Sequence, residues 1–235
     1  MADYRMYAGK PVVIKPKSTN FGLGITILKH NYDETDFKAA LQIAFEHDNT
    51  VLIEKVIPGR EFRIFIINDE VVGILHRVPA NVTGDGVLNV GQLIDRKNED
   101  PLRGKGYRTP LEKIRKGREE EMFLKQQGMD FNTVPKEREV VYLRENSNIS
   151  TGGDSIDFTD DIDDSYKAIA VEAAKALNVK ITGLDMMIQD IHAPATPDNY
   201  AIIEMNFNPA IHIHCYPFKG KNRHLNHKMI RALGF

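Results

Sequence analysis

Two apolar runs near the C-terminus, Ile181-Thr-Gly-Leu-Asp185-Met-Met-Ile188 and Ala201-Ile-Ile-Glu204-Met-Asn206-Phe-Asn-Pro209, each carry an acidic residue among aliphatic neighbours. Their length and branched side chains read as strands. Along a strand, residues two apart share a face, so Glu204 and Asn206 project together while Ile203 and Met205 point the other way. The same parity puts Ile202 on the Glu204 face, and a merely wet face would not start apolar. Side by side, the two strands bring Asp185 to that patch. Carboxylate and amide oxygens are what magnesium accepts when water and phosphate supply its other ligands, so the pairing points to a metal–nucleotide site.

The remainder of the composition narrows the alternatives. A chain of 235 residues, 42% hydrophobic, is long enough to bury a full core in one large domain or two lobes. Thirty-one basic against 33 acidic residues give a net charge of -2, which provides no electrostatic footprint for nucleic acid or an anionic membrane. Phosphate must therefore be handled locally. The single cysteine, Cys215, excludes an intramolecular disulfide framework and fits a reducing, cytoplasmic setting. No apolar run reaches membrane-spanning length, and the opening Met-Ala-Asp-Tyr-Arg lacks the basic-then-apolar form of a signal peptide.

Pro11-Val-Val-Ile14 reads as a strand, followed by a glycine-bearing loop over residues 15–24 and a second strand, Ile25-Thr-Ile-Leu28. A helix is expected from Asp33 to about His47, with Phe37, Leu41 and Ala44 on one stripe. Val51-Leu-Ile-Glu54 returns as a strand that Pro58-Gly59 breaks, and two further strands flank the turn signal Asn68-Asp-Glu. Residues 95–118 are heavily charged and are expected to form a surface excursion with short helices and little core. Val140-Val-Tyr-Leu143 leads into a polar loop over residues 144–154. The clearest helix spans 165–177, capped by Asp163 or Asp164, and a last one spans about 225–233. The sum is an α+β chain, with a small lobe over residues 1–57 and a larger lobe over 58–235.

Several loops carry chemistry. Lys15-Pro-Lys17-Ser18-Thr-Asn-Phe-Gly22-Leu-Gly24 follows a strand; its glycines permit turns that aim amides at an anion, and its lysines supply charge. It does not match the Walker pattern, and it runs into a strand rather than a helix. Where the strand at Val51 stops and another starts near Arg60, free backbone groups are placed to meet an adenine edge, with Glu54 or Glu61 accepting from amino or ribose hydroxyl groups. Arg77 and Arg144 each precede a polar loop and offer paired donors for a carboxylate or a transferring phosphoryl group. The cluster His212-Ile-His214-Cys215 lacks the second Cys/His group a structural zinc site needs, and no Gly-x-Ser-x-Gly elbow supports a hydrolase.

Taken in order, Val12-Val-Ile-Lys15-Pro with its loop, Glu54-Lys-Val-Ile-Pro-Gly-Arg-Glu-Phe-Arg63, Arg77-Val-Pro-Ala-Asn-Val-Thr-Gly-Asp-Gly86, Asn148-Ile-Ser-Thr-Gly-Gly153 and Glu204-Met-Asn206 resemble the ATP-grasp ligases over nearly the whole chain. The wording of residues 15–25 and 206–214 is most similar to the glutathione synthetase module of the bacterial bifunctional glutamate–cysteine ligase/glutathione synthetases, with cyanophycin synthetase the nearest competitor. The resemblance implies that Lys15, Lys17 and the loop from Ser18 through Gly22 to Gly24 cover the phosphates of ATP. Glu54, Lys55 and Ile57 would frame adenine, with Glu61 near ribose. Asp185, Glu204 and Asn206 would hold two divalent ions, Mg2+ or Mn2+, and Arg77 and Arg144 would be catalytic, stabilising the charge that builds during transfer. The implied reaction joins γ-glutamylcysteine and glycine through an acyl phosphate.

Family members carry a substrate-binding region and a further lysine-bearing strand ahead of the first strand seen here, and the bifunctional ones carry an entire ligase before that. An excised or truncated piece is therefore expected, with the N-terminal part of the fold missing, self-association among its outcomes and no glutathione made unaided. A cyanophycin-type ligase and a noncatalytic nucleotide-binding module are the competing readings.

Overall fold

Val12, Ile14 and Pro16 are buried while Val13 and Lys15 between them are partly open, the period-two pattern of a strand lying on a core with one face. In the computed structural model, which describes residues 3–19, 23–29 and 31–235, the chain divides into two compact units, Met1–Pro58 and Gly59–Phe235. The first holds β1 (Val12–Pro16), β2 (Thr26–Leu28), α1 (Glu34–Phe45) and β3 (Val51–Lys55), with the antiparallel sheet ordered β2-β1-β3. Asp33 starts α1 through a capping box with Asp36, which satisfies backbone donors the first helical turn leaves open. Phe37, Ala40, Leu41 and Ala44 of α1 then close on Val12 and Ile14, and the ring of Tyr7 stacks 5.4 Å from that of Phe37.

The second unit begins with a hairpin of β4 (Arg60–Ile67) and β5 (Glu70–Val78), where Asn68 takes the left-handed backbone (φ 54°) that a tight turn requires. Next come β6 (Asn81–Thr83), α2 (Val90–Lys97), β7 (Arg103–Gly104), β8 (Leu111–Glu112), α3 (Arg118–Gln126) and β9 (Val140–Tyr142). β10 (Asp154–Asp157), α4 (Asp164–Ala176), β11 (Ile181–Ile188), β12 (Tyr200–Asn206), α5 (His212–Cys215) and α6 (Leu225–Ala232) complete it. The main sheet is antiparallel throughout, ordered β10-β5-β4-β11-β12. On one face Tyr166, Ala170 and Ala174 of α4 pack on Phe62, Ile64, Leu184 and Met186. On the other, Phe65, Ile67 and Val72 meet Cys215 and Leu225. Among the described residues no helix is long and apolar enough to cross a membrane.

The charged stretch 95–118 departs from its sequence-based expectation, since Leu111 and Ile114 are buried and a second core assembles there. Val90, Leu93 and Ile94 of α2 pack with Ile114, Leu124, Val82 and Val141. Val90, Leu93 and Ile94 fall on one face of α2, and the few apolar residues of the charged stretch point inward to the same core side. Charge is buried with them. Asp154 of β10, an unanticipated edge strand, accepts from Lys97 Nζ at 2.6 Å and Asn81 Nδ2 at 3.0 Å, and it pairs with the fully covered Arg103. Arg103 also donates to the carbonyls of Glu112 and Gly152 at 2.9 and 3.0 Å, so a hydrogen-bonded salt bridge ties α2, β6 and β7 to the sheet.

His214 is wholly buried beside Phe65, ring centroids 5.3 Å apart, and neither ring nitrogen has a hydrogen-bond partner among the described residues. Burial, with the Arg63 charge adding to it, drives its pKa down to about 3. The unfolded chain, with an ordinary histidine near 6.5, then binds more protons between those two values. Stability from this group is complete above pH 6.5 and falls as the pH drops toward 3, at about 1.4 kcal/mol per unit. Urea titrations of His214→Leu between pH 4 and 7 are expected to show a visibly shallower loss toward acid than the parent chain.

Candidate functional site

The sheet face opposite α4 turns from apolar to charged toward one end of β4, β5, β11 and β12. Register makes this happen: Asp185 lies directly between Arg63 on β4 and Glu204 on β12, and Gly183 between Phe65 and Asn206. Cross-strand partners share a face, so the charged side chains converge. Arg63 grips Asp185 with two parallel bonds, Nε to Oδ1 and Nη2 to Oδ2, the latter 2.8 Å long. Arg77 reaches across β4 from β5 and donates from Nη2 to the same Oδ2 at 2.9 Å. That Nη2 also pairs with Glu61, whose other oxygen accepts from Ser147 Oγ at 2.6 Å.

Asp185 is 2% exposed and Arg63 7%, so this charge is held in the interior. Burial alone would raise the Asp185 pKa. The Arg63 hydrogen bonds and the Arg77 and Arg63 charges outweigh it and hold the carboxyl below its usual range, ionised. Gly183 makes room for this grip, because a Cβ there would come 2.9 Å from Arg63 Cδ and 2.8 Å from Pro209. His76 sits at the margin, its Nδ1 2.9 Å from the Glu61 carbonyl; burial, then the Arg60 charge, lower its pKa to about 4, so the ring is neutral and donates from Nδ1.

Glu204 and Asn206 are more open, joined by Asn206 Nδ2 donating to Glu204 Oε1 at 3.1 Å, while Thr182 Oγ1 fastens the strand end by donating to the Asn206 carbonyl at 3.0 Å. Strict alternation fails just before them. A bulge opposite the Asp185/Met186 step leaves Ile203 unpaired, so Ile202 partners Met186 and Glu204 partners Asp185. Ile202 therefore lies on the face opposite Glu204, correcting the parity that placed them together; the extra residue changes the count along the strand.

Three of the named residues, Asp185, Glu204 and Asn206, thus come together with Arg77 and Glu61. Arg144 has other partners: it donates from Nε to Glu120 at 2.7 Å and pairs with Glu119 at the start of α3. Two participants escaped the sequence reading, Arg63 and Ser147. Arg63 had a usable signal, standing two residues from Glu61 on one strand face. Among the described residues, no group of three or more His, Cys, Asp and Glu side chains is set to hold a metal ion, and His214 is enclosed by packing.

In the first unit, Lys15 Nζ sits 2.6 Å from Glu54 Oε2, both projecting from the same sheet face. Lys17 and Ser18 are exposed at the strand exit, and the Ser18 amide donates to Asp48 at 2.8 Å. Gly24 takes a left-handed backbone (φ 74°), and a Cβ there would meet Pro16 at 2.7 Å. Gly22 lies outside the described residues. Lys55 is exposed and Ile57 half-buried.

The large unit is an antiparallel sheet bearing acidic and amide oxygens on its last two strands, and the small unit carries a lysine-bearing strand. The fold is of the ATP-grasp class. The family model described as the D-ala D-ala ligase C-terminus matches residues 2–88. The glutathione biosynthesis bifunctional protein GshAB of Desulfotalea psychrophila is 63% identical over the whole chain, and that of Clostridium perfringens 56% identical over 98% of it. A crystal structure of a bifunctional glutathione synthetase from Pasteurella multocida superposes with a TM-score of 0.73 at 47% identity, covering 98% of this chain and 32% of that one. The chain spans about 30% of the length of the curated relatives.

Asp185→Asn leaves two buried guanidiniums short of their counter-ion and should cost roughly 3 kcal/mol of folding stability at pH 7. The contribution it removes is present above the ordinary carboxyl range near 3.8 and disappears as pH falls through the lower folded value. Denaturation should therefore separate the two proteins widely at pH 7, and the gap should narrow progressively as the pH is lowered below 3.8.

Proposed function

We propose that the chain is the glutathione synthetase part of a longer polypeptide: an ATP-dependent carboxylate–amine ligase that joins γ-glutamylcysteine to glycine through an acyl phosphate. An N-terminal ligase region of that polypeptide would supply the γ-glutamylcysteine. The observation that carries this reading is the direct cross-strand pairing of Asp185 with Glu204, with the Asn206 amide bonded to Glu204. Identity of 63% to a glutathione biosynthesis protein over every residue supports the choice of substrates.

The oxygen donors fit hard divalent cations, Mg2+ or Mn2+. Glu204 is exposed, Asn206 presents an amide oxygen, and Asp185 retains one of about four lone-pair positions after accepting three hydrogen bonds from the arginines. Two such ions, when bound, would neutralise charge on the phosphates of ATP. Glu204 and Asn206 would be the principal ligands, and Asp185 a further one. Lys15, Lys17, Ser18, Gly22 and Gly24 would meet the phosphates, Glu54, Lys55 and Ile57 the adenine, and Glu61 the ribose. Arg77, already at the carboxylate patch, would oppose negative charge as the γ-glutamylcysteine carboxylate is phosphorylated. Arg144, held by α3, would serve at the polar loop that follows it.

Coupled ADP release, with γ-glutamylcysteine and glycine omitted in turn, is expected to require both in the longer polypeptide. Release that ignores either substrate overturns the assignment. There Glu204→Gln should lower turnover about a hundredfold, the scale of losing one charge-stabilising group. Lys15→Met should weaken ATP binding about tenfold, as expected for one lost charge-assisted hydrogen bond, whereas Lys113→Met should leave it unchanged.

A further inference from the structure

We infer that Arg63 and Arg77 are positioning residues that keep the cation site closed to free metal, so that a divalent ion binds there together with nucleotide and not ahead of it. This rests on the reading of Asp185, Glu204 and Asn206 as ligands. Three of the roughly four lone-pair positions of Asp185 are occupied by guanidinium N–H groups. The patch holds Arg63 and Arg77 against Asp185, Glu61 and Glu204, which leaves it only one unit negative. A free divalent ion finds one exposed carboxylate, Glu204, already accepting from the Asn206 amide, and two fixed positive charges nearby. The phosphates of a nucleotide reverse that balance by bringing several negative charges and further oxygen ligands at once.

Arg77 is the more telling of the two. Its Nη2 serves both Asp185 and Glu61, so one nitrogen ties the proposed metal side of the site to the proposed ribose side. Arg63 makes the bidentate grip and fixes which way the Asp185 carboxylate faces. Removing Arg77 frees one Asp185 position and deletes one positive charge while leaving that grip in place. At the dielectric constant of bulk water, a unit charge about 6 Å from a divalent ion changes its affinity roughly tenfold, and a partly buried patch is screened less.

The test is Mn2+ binding to the purified chain by electron paramagnetic resonance, with and without ADP, in the parent, Arg77→Met and Glu204→Gln. The parent should bind Mn2+ weakly alone and about tenfold or more tightly with ADP, after correction for Mn2+ held by ADP in solution. Arg77→Met should bind Mn2+ alone about tenfold more tightly than the parent, shrinking the gain from nucleotide. A parent that binds free Mn2+ as tightly as it does with ADP overturns the inference, as does unchanged or weaker binding in Arg77→Met. Glu204→Gln should lose Mn2+ under both conditions. Binding equal to the parent's there, or no binding by the parent under either condition, removes the ligand assignment itself and the inference with it. If circular dichroism shows Arg77→Met unfolded, Arg77→Gln keeps an amide donor without the charge, and the same outcomes apply.

Discussion

A buried aspartate between two arginines governs the large unit. Asp185 on β11 accepts from Arg63 on its neighbour β4 and from Arg77 one strand further, so three strands are fixed in register by a single carboxylate. A slip of one residue would turn Asp185 toward α4, among Phe62, Ile64 and Tyr166, where an unpaired charge is prohibitively costly. The apolar face alone specifies that register through Leu184, Met186 and Ile188; the ion pair specifies it again from the other side. Whatever net stability the pair contributes, breaking it exposes buried charge to a poor solvent, and that asymmetry makes it a constraint.

The same physics folds the charged excursion. Arg103 and Asp154 are as buried as core leucines, and they are tolerated because they pair with each other and with Lys97, Asn81 and two carbonyls, which leaves only the Arg103 Nε without a partner among the described residues. The aromatic ring of Phe218 lies 5.1 Å from Lys97 Nζ and 5.4 Å from the Arg103 guanidinium, covering the charges with a surface that favours cations. Polar composition therefore misleads about burial when the charges pair with one another.

Strand parity was legible where strands were regular, and Asp185 and Glu204 were placed together from residues alone. It failed at Ile203, since no local residue marks a bulge of this kind; the extra residue is a property of the pairing with β11. Arg63 was legible in principle from its spacing to Glu61, but its importance depends on Asp185, more than a hundred positions away. β10 was invisible for a related reason: Asp154-Ser-Ile-Asp157 has almost no strand propensity and is held by β5 and by the buried partners of Asp154. Helices α1 and α4 were legible because Asp33 and Asp163 announce their starts by local chemistry, whereas α2 and α3 were not delimited from the residues.

Both units store their candidate binding groups as ion pairs, but at very different cost. Lys15 and Glu54 keep 22% and 46% of their side-chain surface exposed, so separating them costs about 0.2–1 kcal/mol. A phosphate can take Lys15 from Glu54 almost freely, which also frees Glu54 to accept from another donor. Asp185 is different, since pulling it from Arg63 and Arg77 would cost several times more, about 3–5 kcal/mol for a broken buried pair. Under the proposed function Asp185 is therefore better left in place, and the more exposed Glu204 and Asn206 would be the groups that move. The two ion pairs therefore differ in kind: an exchangeable charge within the small unit, and a fixed carboxylate within the large one.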